Sequence, residues 1–148
     1  MPSKKPANKS LLLDSSVVIK WYIDENNTTD AVALRDAFLS HQVELFFPEL
    51  GLYEIANALR YSGLFTEADI HECLQSTIDL GIHILPFDLS ALKAAITLSL
   101  AKNMAVYDSY FAVIADAIGA VYITADEKAC NKLEGLTYVK SLANRGDL

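Results

Sequence analysis

Short, continuous apolar runs alternate along this chain with longer segments bounded by helix-capping and helix-ending residues. Continuous apolar runs are typical of strands buried on both faces of a parallel sheet. The predicted strands are residues 11–13, 43–47, 82–85, 121–124 and 136–139, and the main predicted helices are residues 31–40, 49–61, 67–80, 90–102, 108–118 and 126–133. Because strands and helices alternate, the pattern predicts an α/β fold with a mainly parallel sheet covered on both faces.

Capping residues and glycines indicate where several helices begin and end. Thr66 and Asp69 are spaced as in a capping box, and one of residues 28–30 is expected to cap the helix that begins near residue 31. Asp108 is predicted to open a strongly apolar helix that ends at Gly119. Asp69 and Asp108 thus place acidic side chains at the beginnings of two predicted helices.

The composition fits one folded domain. A chain of 148 residues, 52% of them hydrophobic, can bury a full core without disulfides or structural metals. We predict a single domain over residues 11–140, a disordered polar tail over residues 1–10 and a polar tail over residues 141–148. No apolar run approaches the ~20 residues of a membrane span, and the first one is too short for a secretion signal. We therefore expect a cytoplasmic protein without membrane contact.

The charge balance and the cysteines narrow the chemistry. Twelve basic and 19 acidic residues give a net charge of −7, which disfavours a broad cationic surface for nucleic acid. A divalent ion bound by carboxylates can reverse that sign locally and let an acidic site face a phosphate. Cys73 and Cys130 lack a C-x-x-C partner and neighbouring histidines, so we expect two small thiols and neither a zinc site nor a disulfide.

Four acids occupy positions from which side chains of different elements can meet. Asp14 and Asp126 each follow a predicted strand, and the functional groups of parallel α/β sheets gather outside the carboxyl ends of the strands. Glu54 interrupts an apolar helix, where a charge is costly unless it is paired or bound to metal. Clustered carboxylates, with Asp108 as the fourth, would raise one another's pKa values unless a cation joined them. Oxygen ligands of this kind suit Mg²⁺ or Mn²⁺.

Each acid alone also has an ordinary structural role. Asp14, Asp108 and Asp126 could each cap a helix, and Glu54 could lie on an exposed face. The set of four is therefore more informative than any member. Asp116 lies eight residues after Asp108, rotated by about 80° around the helix, so we expect a solvated acid or at most a peripheral member of the cluster.

Four segments occur in a recognisable order along the chain. They read LLLDSSVV at residues 11–18, PELxxYEIANAL at 48–59, YDxYFAxIA at 107–115 and ITAD at 123–126. In this order and spacing they resemble the PIN-domain nucleases, and most closely the VapC-type toxins of bacterial and archaeal toxin–antitoxin pairs. The resemblance extends over roughly residues 11–139.

The resemblance implies a three-layer α/β/α sandwich and a metal-dependent endoribonuclease that uses Mg²⁺ or Mn²⁺. It assigns catalytic and metal-binding roles to the four acids Asp14, Glu54, Asp108 and Asp126. Thr124 matches the small hydroxyl residue that supports such sites, and the Ser15 hydroxyl is placed to bond a carboxylate or a water. The partners implied are RNA, a second copy of the chain in a homodimer, and an antitoxin whose C-terminal segment covers the site.

Three other classes of protein share part of this sequence pattern. A haloacid-dehalogenase-type phosphatase needs Asp-x-Asp after its first strand, but Ser16 stands in the third position. A phosphoryl-receiver signalling domain needs paired acids there and a late lysine, whereas Asp14 stands alone and Lys140 is a poor match. A PIN-like scaffold that binds RNA or protein without catalysis stays open, although the four acids speak against it.

Overall fold

A parallel sheet of five strands forms the centre of the protein, seen in a computed structural model that describes residues 8–146. The strands are β1 (Lys9–Leu13), β2 (Val43–Pro48), β3 (His83–Leu85), β4 (Val121–Thr124) and β5 (Val139–Ser141), in the order β3-β2-β1-β4-β5. The described helices are α1 (Ser15–Val18), α2 (Thr28–Leu39), α3 (Glu49–Ser62), α4 (Glu67–Asp79), α5 (Leu89–Lys102), α6 (Val106–Ile118) and α7 (Glu127–Lys132). The predicted α/β fold with a parallel sheet is confirmed.

The central strand β1 shows why the sheet is the middle of three layers. Leu11, Leu12 and Leu13 are all completely buried. Successive side chains of a strand point to opposite faces, so three consecutive buried leucines require cover on both faces. Leu12 pairs with Phe46 of β2 on one side and Tyr122 of β4 on the other. The α/β/α sandwich therefore follows from the burial of this strand.

Several helix starts differ from the sequence prediction. The capping box is present, since Thr66 Oγ1 accepts from Asp69 N at 3.2 Å and Asp69 Oδ2 accepts from Thr66 N at 2.9 Å. The predicted side-chain cap of α2 within residues 28–30 is wrong, because the helix already begins at Thr28, whose hydroxyl accepts from Glu25 N in the preceding turn. Asp108 is not an N-cap either, because α6 begins two residues earlier, at Val106.

Both predicted tails are too long. Lys9 and Ser10 belong to β1 and pair with Val43 and Glu44, while residues 1–7 of the predicted tail lie outside the described residues. The last strand is Val139–Ser141 and not residues 136–139, because the pairing with β4 runs to Ser141. Leu142, predicted to lie in a polar tail, is completely buried. Residues 147–148 lie outside the described part, and no helix within residues 8–146 is long and apolar enough to cross a membrane.

Candidate active site

The carboxyl ends of β1 and β4 open into a cavity of about 300 Å³ that contains all four predicted acids. Asp14 follows β1 directly, and Asp126 lies two residues after the end of β4. Because β1 and β4 are neighbours in the sheet, their following residues meet at one edge. The residues that line the cavity are Asp14, Ser15, Ser16, Ile19, Glu54, Ile55, Ala58, Asp108 and Asp126.

Asp14 is the buried acid of the set, with only 5% of its surface exposed. Its Oδ2 accepts from Ser16 N at 3.0 Å, so it caps α1, and its Oδ1 accepts from Tyr122 Oη at 2.8 Å. Its own backbone N–H donates to the Ile123 carbonyl, which continues the β1–β4 ladder by one residue. Burial raises the pKa of Asp14, although the hydrogen bonds from Ser16 and Tyr122 act in the opposite direction.

Glu54 reaches the cavity from the middle of α3. Ser15 Oγ donates to Glu54 Oε1 at 3.2 Å, which places the Ser15 hydroxyl on a carboxylate, as the sequence suggested. The pKa of Glu54 is raised to about 7, mainly by burial and next by the negative charge of Asp14. The carboxyl group of Glu54 is thus close to half protonated at neutral pH when no cation is bound.

Asp108 lies in the first turn of α6 and is half-buried. Burial, followed by the charges of Asp14 and Asp126, raises the pKa of Asp108 to about 6. The Lys132 ammonium acts the other way on that pKa and also donates to the Asn103 carbonyl at 2.6 Å. The repulsion joins Asp108 to the acids that follow β1 and β4, as expected for side chains that line one cavity.

Asp126 is exposed and caps α7. Its Oδ1 accepts from Lys128 N at 3.0 Å and from Ala129 N at 3.2 Å. Thr124, completely buried, accepts from Asp126 N through Oγ1 at 3.1 Å and so fixes the turn that carries this acid. Asp126 therefore has the capping role weighed from its sequence position, and its carboxylate also lines the cavity.

Asp116 lies apart from the cluster. It is exposed and is not among the residues that line the cavity. It lies eight residues beyond Asp108, about 12 Å along the helix axis, at the opposite end of α6. There its charge adds to burial, which is the larger cause, in raising the pKa of Tyr138, next to β5. The structure brings together the other four acids and leaves this one in solvent.

Two residues that contact the acids were not assigned to the site from the sequence. Ser16 donates its backbone N–H to Asp14 and accepts from Ala125 N through Oγ at 3.0 Å, so it joins the two loops after β1 and β4. Tyr122 is a fully buried tyrosine inside an apolar strand. A buried phenol needs a hydrogen-bond partner, and this was the one available signal.

The donor set fits a hard divalent cation. The polar groups of the lining are carboxylates and serine hydroxyls, and no lysine, arginine or histidine is among the lining residues of this described cavity. Burial first, and the repulsion between the carboxylates after it, raise the pKa values of Asp14, Glu54 and Asp108, and a bound cation would offset both effects. Within residues 8–146 no three acidic, histidine or cysteine side chains already stand in a metal-binding arrangement, so the more exposed carboxylates of Glu54, Asp108 and Asp126 would have to turn to hold an ion together with Asp14.

The protein is thus a parallel α/β/α domain with a cluster of acidic side chains where the central strands of its sheet end. The chain matches the PIN domain family over residues 11–134. It therefore belongs to the PIN domain family, which confirms the family predicted from the four sequence segments, and nuclease is the assignment at family level.

Individual relatives agree in length and fold. Ribonuclease VapC3 of Pyrobaculum aerophilum is 27% identical over 133 residues, which cover 85% of this chain and 96% of the relative. The crystal structure of PAE2754 from Pyrobaculum aerophilum has a TM-score of 0.66 at 20% identity and covers 91% of this chain and 90% of that chain. A toxin–antitoxin complex from Klebsiella pneumoniae has a TM-score of 0.64 at 12% identity, with coverages of 89% and 97%. At these identities the solved structures show the fold alone.

Proposed function

We propose that this protein is a metal-dependent endoribonuclease that hydrolyses RNA phosphodiester bonds with Mg²⁺ or Mn²⁺, and that it is the toxin of a toxin–antitoxin pair. The observation that carries this proposal is the meeting of Asp14, Glu54, Asp108 and Asp126, from four different elements, in one cavity. The family match and the curated ribonuclease relative support the same chemistry.

The four acids would have different roles in metal binding and catalysis. Asp14, Asp108 and Asp126 would hold the ion, and Glu54, oriented by Ser15, would help to hold it and to orient a water molecule. A bound divalent ion supplies Lewis-acid stabilisation of the negative charge on the scissile phosphate. A bound cation would lower the raised pKa of Glu54, so its carboxylate would be charged while it helps to hold the ion.

The expected substrate class rests on how RNA presents its bases. A single-stranded or looped RNA is the expected target, because its bases are accessible whereas the grooves of an A-form helix are poorly readable. Lys128 and Lys132 are exposed on α7, the helix that Asp126 caps, and could contact flanking phosphates. Lys20 is a poorer candidate because it is buried in an ion pair with Glu25 at 2.9 Å.

We also propose two protein partners, an antitoxin and a second copy of the chain. The solved structure from Klebsiella pneumoniae that shares this fold is a toxin–antitoxin complex. Large apolar side chains are strongly exposed in the described chain, among them Tyr53 at 74%, Tyr61 at 76% and Leu100 at 81%. Such surface is available for association. Sedimentation equilibrium of the purified protein tests the homodimer, and a monomer at high concentration would contradict it.

The nuclease function is tested by incubating purified, partner-free protein with a mixed pool of structured and single-stranded RNA. Parallel reactions contain Mg²⁺, Mn²⁺ or EDTA. We expect cleavage only with metal, and a loss of about 100-fold or more in the Asp108→Asn variant, because the variant lacks one of the carboxylates that would hold the ion that stabilises charge on the scissile phosphate. Asp116→Asn is the matched control, since it makes the same change on the same helix outside the cavity.

The outcomes separate the proposal from its alternatives. Cleavage that resists EDTA would contradict the metal dependence. Folded protein that binds RNA but cuts none of it under any of the three conditions would favour the non-catalytic scaffold. Equal activity in Asp108→Asn and Asp116→Asn would remove Asp108 from the site.

A further inference from the structure

We propose that Tyr122 is a positioning residue that holds Asp14 in the orientation required for metal binding; this inference rests on the proposed function. Tyr122 lies in β4, is completely buried and is not one of the residues that line the cavity. Its hydroxyl donates at 2.8 Å to Oδ1 of Asp14, the residue that directly follows the neighbouring strand β1. The contact joins residues that are 108 positions apart in sequence.

Asp14 is held from two sides. Tyr122 binds one carboxylate oxygen from the sheet, and the Ser16 N–H binds the other oxygen from the chain that follows. With each oxygen fixed by one donor, rotation of the carboxylate would break a hydrogen bond of a buried group. The lone pairs that remain are those that Asp14 can present to the cavity it lines. Partners of this kind orient the side chains that bind metals.

The hydroxyl group is what distinguishes Tyr122 from a phenylalanine at this buried position. The ring packs against Phe111 with 6.3 Å between centroids, and a phenylalanine would fill the same space. A buried hydroxyl adds a polar group to an apolar strand, which is costly without a partner. The partner is the acid, and a hydrogen bond to a carboxylate is stronger than one between neutral groups.

The test compares wild type, Tyr122→Phe and the control Tyr110→Phe. Tyr110 is also buried, and its hydroxyl accepts from Asp88 N at 3.2 Å, so the control removes a similar hydroxyl that does not contact the acids. Mn²⁺ is titrated into each protein without RNA by calorimetry. RNA cleavage is then measured over a range of Mn²⁺ concentrations, and melting temperatures establish that each variant is folded at the assay temperature.

We expect Tyr122→Phe to bind Mn²⁺ about 10-fold or more weakly, the usual loss when a residue that orients a metal ligand is removed. Its cleavage should be impaired at low Mn²⁺ and recover toward wild type at saturating Mn²⁺. Tyr110→Phe should keep the wild-type affinity for Mn²⁺. A purely structural role of the Tyr122 hydroxyl would lower the melting temperature without changing that affinity.

Two results would overturn the inference about Tyr122. One is an unchanged Mn²⁺ affinity in Tyr122→Phe, and the other is an equal loss in Tyr110→Phe. Wild-type protein that binds Mn²⁺ but cuts no RNA would contradict the nuclease function alone, because the comparison of Mn²⁺ affinities still decides the role of Tyr122. Wild-type protein that binds no Mn²⁺ would contradict both.

Discussion

Glu54 illustrates how a single carboxylate of the cavity links stability to pH. Its pKa is raised from 4.5 to about 7 by burial and by the nearby charge of Asp14. Between those pH values the folded protein keeps a proton that the unfolded chain releases. The contribution of this group to stability is therefore fully present below pH 4.5 and is lost as the pH rises through 7.

We predict that Glu54→Gln flattens this part of the pH dependence. In EDTA, the melting temperature of the wild type relative to the variant should fall from pH 5 to pH 8, because the variant has no carboxyl group to titrate there. Glu72→Gln, an exposed acid on α4, should follow the wild type. The measurement is thermal unfolding by circular dichroism, and parallel curves for Glu54→Gln and wild type would contradict the raised pKa.

Asp126 combines a capping role with a place in the cavity, and two substitutions separate them. Asparagine caps helices as well as aspartate does, so Asp126→Asn should change the free energy of unfolding by less than about 0.5 kcal/mol while weakening Mn²⁺ binding. Asp126→Ala should lose both, at a cost of about 1 kcal/mol in stability. Urea unfolding and Mn²⁺ titration measure the two effects. Wild-type Mn²⁺ affinity in Asp126→Asn would mean that capping is its only role.

The sequence identified the acids more easily than the groups that hold them. A carboxylate after an apolar strand or inside an apolar helix is conspicuous because its desolvation is costly. The contacts of Ser16 and Tyr122 depend on pairs such as Tyr122–Asp14, 108 positions apart, which only the neighbouring of β1 and β4 brings together. Such contacts cannot be inferred before the strand order is known.

At the scale of elements, α3 is held close to the sheet by Gly51. A Cβ at this position would overlap the ring of Phe47, which is completely buried in β2. We predict that Gly51→Ala lowers the free energy of unfolding by about 1–3 kcal/mol, because overpacking outweighs the better helix propensity of alanine. The same change should weaken Mn²⁺ binding, since α3 carries Glu54.

A double-mutant cycle tests the cause of this effect. Phe47→Leu removes the ring that the new methyl group would meet, so Gly51→Ala should cost less in that background than in the wild type. Chemical denaturation of the four proteins measures the coupling free energy. Additive effects of the two substitutions would show that the Phe47 ring is not the obstacle.

Element boundaries were harder to predict than the elements themselves. The apolar residues 136–139 indicated the last strand, but β5 ends in Lys140 and Ser141 because these residues pair with Ile123 and Thr124. Ser141 can be polar there because its hydroxyl donates to Glu127 Oε1 at 2.7 Å. A strand at the edge of a sheet is defined by its partner strand, and the local pattern shows this only weakly.

At the scale of the whole molecule, the strand order places the site. The sequence predicted alternating strands and helices but not that β1 would lie between β2 and β4. That order puts the residues after two strands distant in sequence, Asp14 and Asp126, at one edge of the sheet. The four-segment resemblance implied that these acids form one site, whereas the hydrophobic pattern alone was compatible with several strand orders.

The C-terminal segment completes the domain, because it packs into the core and pairs with the rest of the chain. Leu142 is completely buried, and its N–H donates to the Thr124 carbonyl at 2.8 Å, beside the turn that carries Asp126. Arg145 then binds Asp30 at the start of α2 at 2.6 Å.

We predict that Leu142→Ala lowers the free energy of unfolding by about 2–5 kcal/mol, because it leaves a cavity in the core. Leu100→Ala, at a site that is 81% exposed, should change it by less than about 0.5 kcal/mol. Urea denaturation of both variants measures the difference, and a Leu142→Ala effect as small as that of Leu100→Ala would restore the interpretation of this segment as a tail.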